Sequence, residues 1–283
     1  MNLREALARA RHILSDGNFE DADLEGEVLL RHVLGVGRAE LFVGLDLDLS
    51  PEKAAGLRQV LERRLGGEPL AYITGHREFY GLDFFVDPRV LIPRPETELL
   101  VEKALGLAGR RTINTIADIG TGCGAIAVSL AVNLPGAVIY AADVSAPALE
   151  VAAANCRKHG VADRVTLLLG DLLEPLPTPV DLIIANLPYV RETELIPGGP
   201  LRFEPEVALH GGSDGLDRIG ELCRHGSERL SPGGCLLLEI GQGQSGAVTS
   251  LLRREFPSGE VAVECDLAGI ERVVGLCLTP AHT

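Results

Sequence analysis

Apolar residues recur at helical spacing through the first 75 residues of the chain. The pattern predicts three helices, with apolar faces over residues 3–14, 23–36 and 51–65. Ser50 before Pro51 is typical of a helix start, because serine caps free backbone N–H groups and proline fits the first helical turn. This third helix is expected to end at Gly66. The N-terminal part is therefore predicted to be a small helical domain.

The hydrophobic pattern changes at residue 76. Aromatic residues gather around Gly81 between Phe79 and Phe85, which is typical of a β-hairpin. The prolines that follow predict an irregular stretch before the next helix. We therefore divide the chain into a helical domain at residues 1–75, a β-hairpin linker at 76–95 and a larger domain at 96–283.

In the larger domain, predicted helices alternate with short apolar strands, which is typical of a parallel sheet covered on both faces. Strands are predicted at 113–119, 137–142, 165–169, 181–185, 234–240, 259–266 and 271–278, and helices at 96–109, 123–133, 145–159, 215–231 and 244–255. Only four residues separate the last two strands, so these are expected to pair as a hairpin. The predicted fold is α/β, with a seven-stranded, mostly parallel sheet.

The composition is that of an ordinary globular protein, since 46% of the 283 residues are hydrophobic and 23% are charged. Apolar runs are shorter than the roughly 20 residues that a membrane-spanning helix needs. The first residues also lack the apolar core of a signal peptide. A cytoplasmic protein is expected.

The formal net charge of −14 argues against a protein that holds nucleic acid by neutralising phosphates. A protein or small-molecule substrate is favoured. The six cysteines form no Cys-x-x-Cys pair, so neither a metal site nor a disulfide framework is predicted. Reduced, mostly buried thiols are expected.

A glycine-rich turn follows the first strand of the predicted sheet. The strand end and the turn contain Asp118, Gly120, Thr121, Gly122, Cys123 and Gly124. Asp143 follows the second strand, about twenty residues further on, where a carboxylate accepts hydrogen bonds from a ribose. Asp171 follows the third strand and is a candidate contact for adenine, although aspartate is nearly as common in turns. The pattern favours a nucleoside-containing cofactor.

The segment Asn186-Leu187-Pro188-Tyr189 follows the fourth strand, at the sheet edge where α/β proteins bind ligands. It resembles the Asn-Pro-Pro-Tyr motif of methyltransferases that modify planar NH2 groups, namely base amines and the glutamine amide. Together with the glycine turn and Asp143, this segment makes the C-terminal part resemble a class I S-adenosylmethionine-dependent methyltransferase.

Other segments resemble one family of these enzymes, the peptide-chain-release-factor glutamine methyltransferases (HemK/PrmC family). They are residues 69–75 with Phe79, residues 91–98, residues 203–205 and residues 214–216. The resemblance covers nearly the whole chain and includes the order of its domains. It implies S-adenosyl-L-methionine as cofactor, peptide chain release factors as protein substrates and a release-factor-docking role for residues 1–75.

The resemblance also implies a role for each candidate residue. The substrate glutamine of a Gly-Gly-Gln motif is expected to bind to Asn186, Leu187, Pro188 and Tyr189. The cofactor is expected to bind to Asp118, Gly120, Thr121, Gly122, Cys123, Gly124, Asp143, Asp171 and Asn186. The Asn186 side-chain oxygen and the Leu187 carbonyl would accept hydrogen bonds from the glutamine NH2 group, which orients its nitrogen lone pair. The family usually has proline at the position of Leu187, and we expect activity to be retained because leucine keeps the carbonyl.

Three other functions compete with this interpretation. An amine methyltransferase acting on DNA or RNA would also use the Asn186 segment, but the net charge opposes it. A dehydrogenase-like dinucleotide-binding protein would explain the glycine turn and Asp143, but it gives the Asn186 segment no role. An inactive binding protein is favoured only by Leu187.

Overall fold

The structure, a computed structural model, describes residues 1–196, 198–199 and 201–279. It divides into two compact units, Met1–His76 and Arg77–Thr283. No helix among the described residues is long and apolar enough to cross a membrane.

The first unit is helical. Its helices are α1 (Leu3–Asp16), α2 (Ala22–Leu34), α3 (Arg38–Val43), α4 (Pro51–Leu65) and α5 (Leu70–Thr74). The three long helices confirm the predicted ones, and Ser50 caps α4 by accepting a hydrogen bond from the Lys53 N–H at 3.2 Å. Helices α3 and α5 were not predicted, because segments of six and five residues are too short to show a helical period.

A β-hairpin begins at the boundary between the units. Its strands are β1 (His76–Phe79) and β2 (Leu82–Phe85), as the aromatic cluster predicts. The rings of Phe79 and Phe84 are buried and pack edge to face. A 3-10 turn at Pro95–Thr97 then leads into the first helix of the second unit.

The second unit contains the predicted α/β sheet. Its strands are β3 (Thr115–Ile119), β4 (Val138–Asp143), β5 (Val165–Leu169), β6 (Val180–Ala185), β7 (Leu230–Glu239), β8 (Gly259–Cys265) and β9 (Glu271–Leu278). Its helices are α6 (Glu98–Ala108), α7 (Ala125–Asn133), α8 (Ala146–Lys158), α9 (Asp217–Gly226) and α10 (Ser245–Glu255). The strand order is β5-β4-β3-β6-β7-β9-β8, and β9 runs antiparallel to both of its neighbours. The predicted mixed sheet and its terminal hairpin are confirmed.

Two predicted boundaries around β7 are wrong. The preceding helix ends at Gly226 rather than 231, and β7 begins at Leu230 rather than 234. Pro232 and Gly233 lie within the strand, at an irregularity in its pairing with β6 where Gly233 has a φ of 78°.

One pair of cysteines also departs from the prediction of reduced thiols. Cys235 on β7 and Cys277 on β9 are opposite each other in the antiparallel register and form a disulfide. Their separation of 42 residues hides this proximity in the sequence. Cys123, Cys156 and Cys223 are free and buried, and Cys265 is free and exposed.

The buried side chain of Asn155 on α8 joins the hairpin to the glycine-rich turn. Its Nδ2 group donates hydrogen bonds to the carbonyls of Phe85 at 3.0 Å and of Cys123 at 2.9 Å. Its Oδ1 atom accepts a hydrogen bond from the Phe85 N–H at 2.8 Å. One fully buried amide therefore satisfies three backbone groups that would otherwise be desolvated without partners.

We expect Asn155→Leu to lower the free energy of unfolding by about 3–5 kcal/mol, because it leaves these buried backbone groups unpaired. Urea denaturation monitored by circular dichroism measures this change. Arg157→Ala, at an exposed position of the same helix, is the matched control and should change stability by less than about 0.5 kcal/mol. An Asn155→Leu protein as stable as this control would contradict the role of the amide.

Candidate active site at the carboxyl edge of the sheet

The site lies where the strand order reverses direction. Strand β3 pairs with β4 on one side and with β6 on the other, and Ile119 is opposite both Ala142 and Ala185. The residues that directly follow this row are Gly120, Asp143 and Asn186. The parallel register therefore brings the glycine-rich turn, the second acidic residue and the asparagine segment to one edge.

Asp118 lies below the glycine-rich turn rather than on the cavity surface. Its fully buried Oδ2 atom accepts hydrogen bonds from the Thr121 hydroxyl at 2.6 Å and the Ala127 N–H at 3.1 Å. Its Oδ1 atom has no hydrogen-bond partner among the described residues. Burial raises the pKa of this carboxyl group to about 7. Asp118 and Thr121 thus shape the turn from beneath.

The glycines of the turn adopt backbone conformations that other residues avoid. Gly122 has a φ of 56°, and a Cβ atom there would meet nothing within 4 Å, so this position opens onto free space. Gly120 has a φ of 73°, and its Cβ position lies 3.3 Å from the Leu187 Cδ2 atom. Gly124 also has a positive φ and precedes α7. The turn therefore approaches both a potential ligand and the Asn186 segment closely.

Asp143 ties the turn to the next helix. Its Oδ2 atom accepts a hydrogen bond from the Gly122 N–H at 2.9 Å, and its Oδ1 atom accepts one from the Ser145 N–H at 2.8 Å. Each oxygen keeps a further lone pair for a ligand. Burial is the main reason that its pKa is raised.

Cys123 is buried within the same turn. Burial raises the pKa of its thiol to about 12, so the thiol stays protonated at neutral pH. No cluster of metal-ligating side chains occurs in the parts of the chain that the structure describes.

Asp171, a candidate adenine contact, has a partner from elsewhere in the chain. Arg218 on α9 forms an ion pair with its carboxylate and also donates a hydrogen bond to Glu221 at 2.6 Å. Both Asp171 and Arg218 line the large cavity described below. Arg218 was not identified from the sequence, because a single arginine in an amphipathic helix is usually a surface residue.

The Asn186-Leu187-Pro188-Tyr189 segment connects the edge of the sheet to two other elements. The Asn186 Nδ2 group donates a hydrogen bond to the Thr97 Oγ1 atom at 3.0 Å. The Tyr189 hydroxyl donates one to the Glu239 Oε1 atom at 3.1 Å, and Leu187 is buried in the core. Glu239 was not identified from the sequence, although its place at the end of β7 follows the same rule as Asp118 and Asp143.

Close packing holds this segment from behind. A Cβ atom on Gly215 would lie 2.3 Å from the Tyr189 carbonyl oxygen, and one on Gly211 would lie 2.8 Å from that of Pro188. The Gln244 Nε2 group donates a hydrogen bond to the same Tyr189 carbonyl at 3.1 Å. The backbone of the segment therefore has little freedom to shift.

Two adjacent cavities meet at Asn186 and Leu187. The larger, about 430 Å³, is lined among others by Gly120, Gly122, Asp143, Asp171 and Pro188. The smaller, about 160 Å³, is lined by Tyr189 and Arg94. Both cavities include Asn186 and Leu187 in their walls. Two bound groups could therefore meet across these residues.

The segment at 203–205 lies beside both cavities, since Pro205 lines the larger one and Glu204 contacts Arg94 of the smaller one. Glu204, nearly buried, accepts hydrogen bonds from the Ile92 N–H at 3.2 Å and from the Arg94 guanidinium. His210 is exposed and also lines the larger cavity.

Comparison with known proteins gives a consistent result. Residues 5–75 match the family described as the PrmC N-terminal domain, and residues 95–197 match the methyltransferase small domain. A release factor glutamine methyltransferase of Moorella thermoacetica is 46% identical over 275 residues, which are 96% of this chain and 97% of that protein. The protein of the same name from Bordetella pertussis is 45% identical over 89% of this chain and 93% of its own length.

A solved structure shares the fold. The T. thermophilus 16S rRNA N2 G1207 methyltransferase, in complex with AdoMet and guanosine, is 19% identical with a TM-score of 0.52. The match covers 72% of this chain and 50% of that one.

Burial of Asp118 makes stability depend on pH. Its pKa rises from 3.8 to about 7 on folding, so the folded state binds this proton more tightly than the unfolded state does. The resulting stabilisation is complete below pH 4 and is lost as the pH rises through 7. Between these values, we expect the wild type to lose roughly 3–4 kcal/mol of unfolding free energy relative to Asp118→Asn.

Urea denaturation of both proteins at a series of pH values, with no added ligand, measures this difference. Asp163→Asn, at an exposed position, is the control and should follow the wild type within about 0.5 kcal/mol. Parallel stability curves for wild type and Asp118→Asn would show that the Asp118 pKa is not shifted.

Proposed function

The chain belongs to the family of release factor glutamine methyltransferases, and we propose that it methylates the side-chain amide nitrogen (N5) of the glutamine in the Gly-Gly-Gln motif of peptide chain release factors. The observation that carries the proposal is the shared wall of the two cavities. Asn186 and Leu187 face a space large enough for a cofactor on one side and a space suited to a small side chain on the other.

The cofactor in this proposal is S-adenosyl-L-methionine. The large cavity fits it, because the open backbone at Gly122 and the spare lone pairs of Asp143 are polar groups suited to a nucleoside. Asp118 would contribute from beneath, by holding the shape of the turn. When bound, the cofactor supplies a methyl group on a positively charged sulfur, which leaves as a neutral thioether. Gly120, Thr121, Cys123, Gly124, Asp171 and Asn186 complete the proposed binding set.

The chemical problem is that an amide nitrogen is a poor nucleophile, because its lone pair is delocalised into the carbonyl group. We infer that the Asn186 Oδ1 atom and the Leu187 carbonyl oxygen accept hydrogen bonds from the two N–H groups of the glutamine amide. These contacts orient the nitrogen and stabilise the positive charge that grows on it. The nitrogen gains a methyl group as the carbon–sulfur bond breaks, and it then loses one proton to water.

Pro188 and Tyr189 complete the substrate site. Pro188 restricts the backbone after the Leu187 carbonyl, and the Tyr189 ring forms part of the small cavity wall against which a planar amide would pack. Burial raises the pKa of the Tyr189 hydroxyl well above its ordinary value, so this group stays protonated and is not a base. The proposed catalysis therefore depends on positioned acceptors rather than on a titrating side chain.

The partner in this proposal is a release factor. The first unit, which matches the PrmC N-terminal domain, is proposed to dock that protein while the second unit binds its glutamine. A cytoplasmic location and the lack of stable nucleic-acid or membrane binding are part of the same proposal.

The decisive experiment offers labelled S-adenosylmethionine and three acceptors to the purified protein. They are a release factor, the same factor with its Gly-Gly-Gln glutamine replaced, and a mixture of duplex DNA and RNA. We expect label on the intact factor only, at that glutamine by mass spectrometry. Label on nucleic acid would favour the base-amine methyltransferase, and no label on any acceptor would favour an inactive binding protein.

We expect Asn186→Ala to reduce kcat by about 100-fold or more, because it removes one of the two acceptors that act on the glutamine amide. Initial rates at saturating factor and cofactor measure the effect. Asn133→Ala, at the exposed end of α7, is the matched control and should retain the wild-type rate. Equal rates for both variants would remove Asn186 from the mechanism.

Leu187→Pro should retain methyl transfer, because the residue acts through a backbone carbonyl that proline also has. The loss in kcat should be much smaller than the roughly 100-fold loss expected when an essential hydrogen-bonding group is removed. Thermal unfolding should be followed as well, since the buried leucine side chain packs near Gly120. If Leu187→Pro abolished transfer while remaining folded, leucine would have a role that its carbonyl does not explain.

A further inference from the structure

The role proposed for Asn186 requires its side-chain amide to face one particular way. The two ends of the amide have almost the same shape, but one end accepts hydrogen bonds and the other donates them. Only the oxygen can accept from an N–H group of a glutamine. An amide turned by 180° would present an N–H group to the substrate N–H, which is repulsive. Something in the protein must therefore select the orientation.

Thr97 is the group that contacts the other end of this amide. Its Oγ1 atom lies 3.0 Å from the Asn186 Nδ2 atom and accepts its hydrogen bond. The Thr97 side chain is only 5% exposed and sits at the end of the 3-10 turn before α6. A threonine hydroxyl has one proton, so its behaviour towards Asn186 depends on where that proton goes.

Glu239 provides the acceptor for that proton. This residue ends β7 and is 1% exposed. Its Oε1 atom accepts the Tyr189 hydrogen bond, and its buried Oε2 atom has no hydrogen-bond partner among the described residues. The Thr97 hydroxyl is the neighbouring side-chain donor that interacts with this carboxylate. An ionised carboxylate only accepts hydrogen bonds. If Thr97 gives its proton to Glu239, its oxygen is left with lone pairs alone on the side of Asn186. That oxygen attracts the Asn186 NH2 group and repels the Asn186 oxygen.

We propose that Thr97 and Glu239 are positioning residues which fix the Asn186 amide with its oxygen towards the substrate. The hydrogen bonds run in one direction, from the Asn186 NH2 group to Thr97 and from Thr97 to Glu239. This inference rests on the proposed function, since it explains how the acceptor for the glutamine amide is oriented. In this proposal, Thr97 positions the Asn186 amide in addition to preceding the first turn of α6.

The charge state of Glu239 sets the conditions of the test. Its pKa is raised to about 7, mainly by burial and also by the charge of Glu96, against the lowering effect of the Thr97 and Tyr189 side chains and of Arg272. Assays at pH 8.5 therefore keep the carboxylate ionised. They also keep Tyr189 protonated, because burial and Glu239 both raise the pKa of its hydroxyl.

The first test compares two substitutions at one position. Thr97→Val keeps the shape of the side chain but lacks the hydroxyl, and Thr97→Ser keeps the hydroxyl. We expect Thr97→Val to lower kcat by about 10- to 100-fold through misorientation of Asn186, with little change in the dissociation constant for the cofactor. Thr97→Ser should restore most of the rate. Thr166→Val, at an exposed position on β5, controls for the substitution itself.

The second test applies the same logic to the carboxylate. Glu239→Gln keeps an acceptor oxygen, whereas Glu239→Leu removes it, so we expect the leucine variant to lose much more kcat than the glutamine variant. Because both residues act along one chain of hydrogen bonds, Thr97→Val and Glu239→Leu should be strongly non-additive when combined. Circular dichroism and thermal unfolding establish that each variant is folded.

The outcomes separate this inference from the proposed function. Labelling of the release factor by the wild type tests the function, independently of any variant. If the wild type is active but Thr97→Val equals Thr97→Ser in kcat, the positioning role is wrong and the function stands. Additive losses in the combined variant would also overturn the role, since they would mean that the two residues act separately.

Discussion

The parallel pairing of β3 with β4 and β6 is the constraint on which the site depends. Ile119 is paired with both Ala142 and Ala185. The segments that begin at Gly120, Asp143 and Asn186 therefore start at the same level along the strands. A shift of either neighbour by one residue would turn its following polar side chain towards the opposite face. The apolar strands, which are buried on both faces, resist such a shift because it would disrupt the core packing on both sides.

Buried polar side chains then hold the irregular segments over this edge. Asn155 supports the glycine turn, Gln244 supports the Tyr189 carbonyl, and Glu204 joins Ile92 to Arg94. Each of these side chains is nearly buried and hydrogen-bonds with backbone groups that have left regular structure. The loops of the site are therefore held by side chains from distant elements in addition to contacts within each loop.

The sequence predicts the strands and the residues that end them, because hydrophobic pattern and strand-end chemistry are local properties. It does not predict Thr97 beside Asn186, although both segments were recognised, because their contact spans 89 residues and follows from the packing of the 3-10 turn on the sheet. Glu239, Arg218 and the disulfide partner Cys277 were missed for the same reason. The spatial neighbours of each residue can be identified only when the strand order is known.

The contact between Asn155 and the hairpin also affects the order in which parts of the chain can fold during synthesis. Phe85 hydrogen-bonds with a residue 70 positions later, whereas the helices of the first unit contact one another within residues 1–76. During synthesis, the N-terminal unit can fold while the hairpin still lacks its partner on the ribosome. The glycine turn receives its support from Asn155 only after α8 has emerged, and the neighbouring β6 follows later still. A nascent chain can therefore complete its helical unit well before the proposed cofactor site exists.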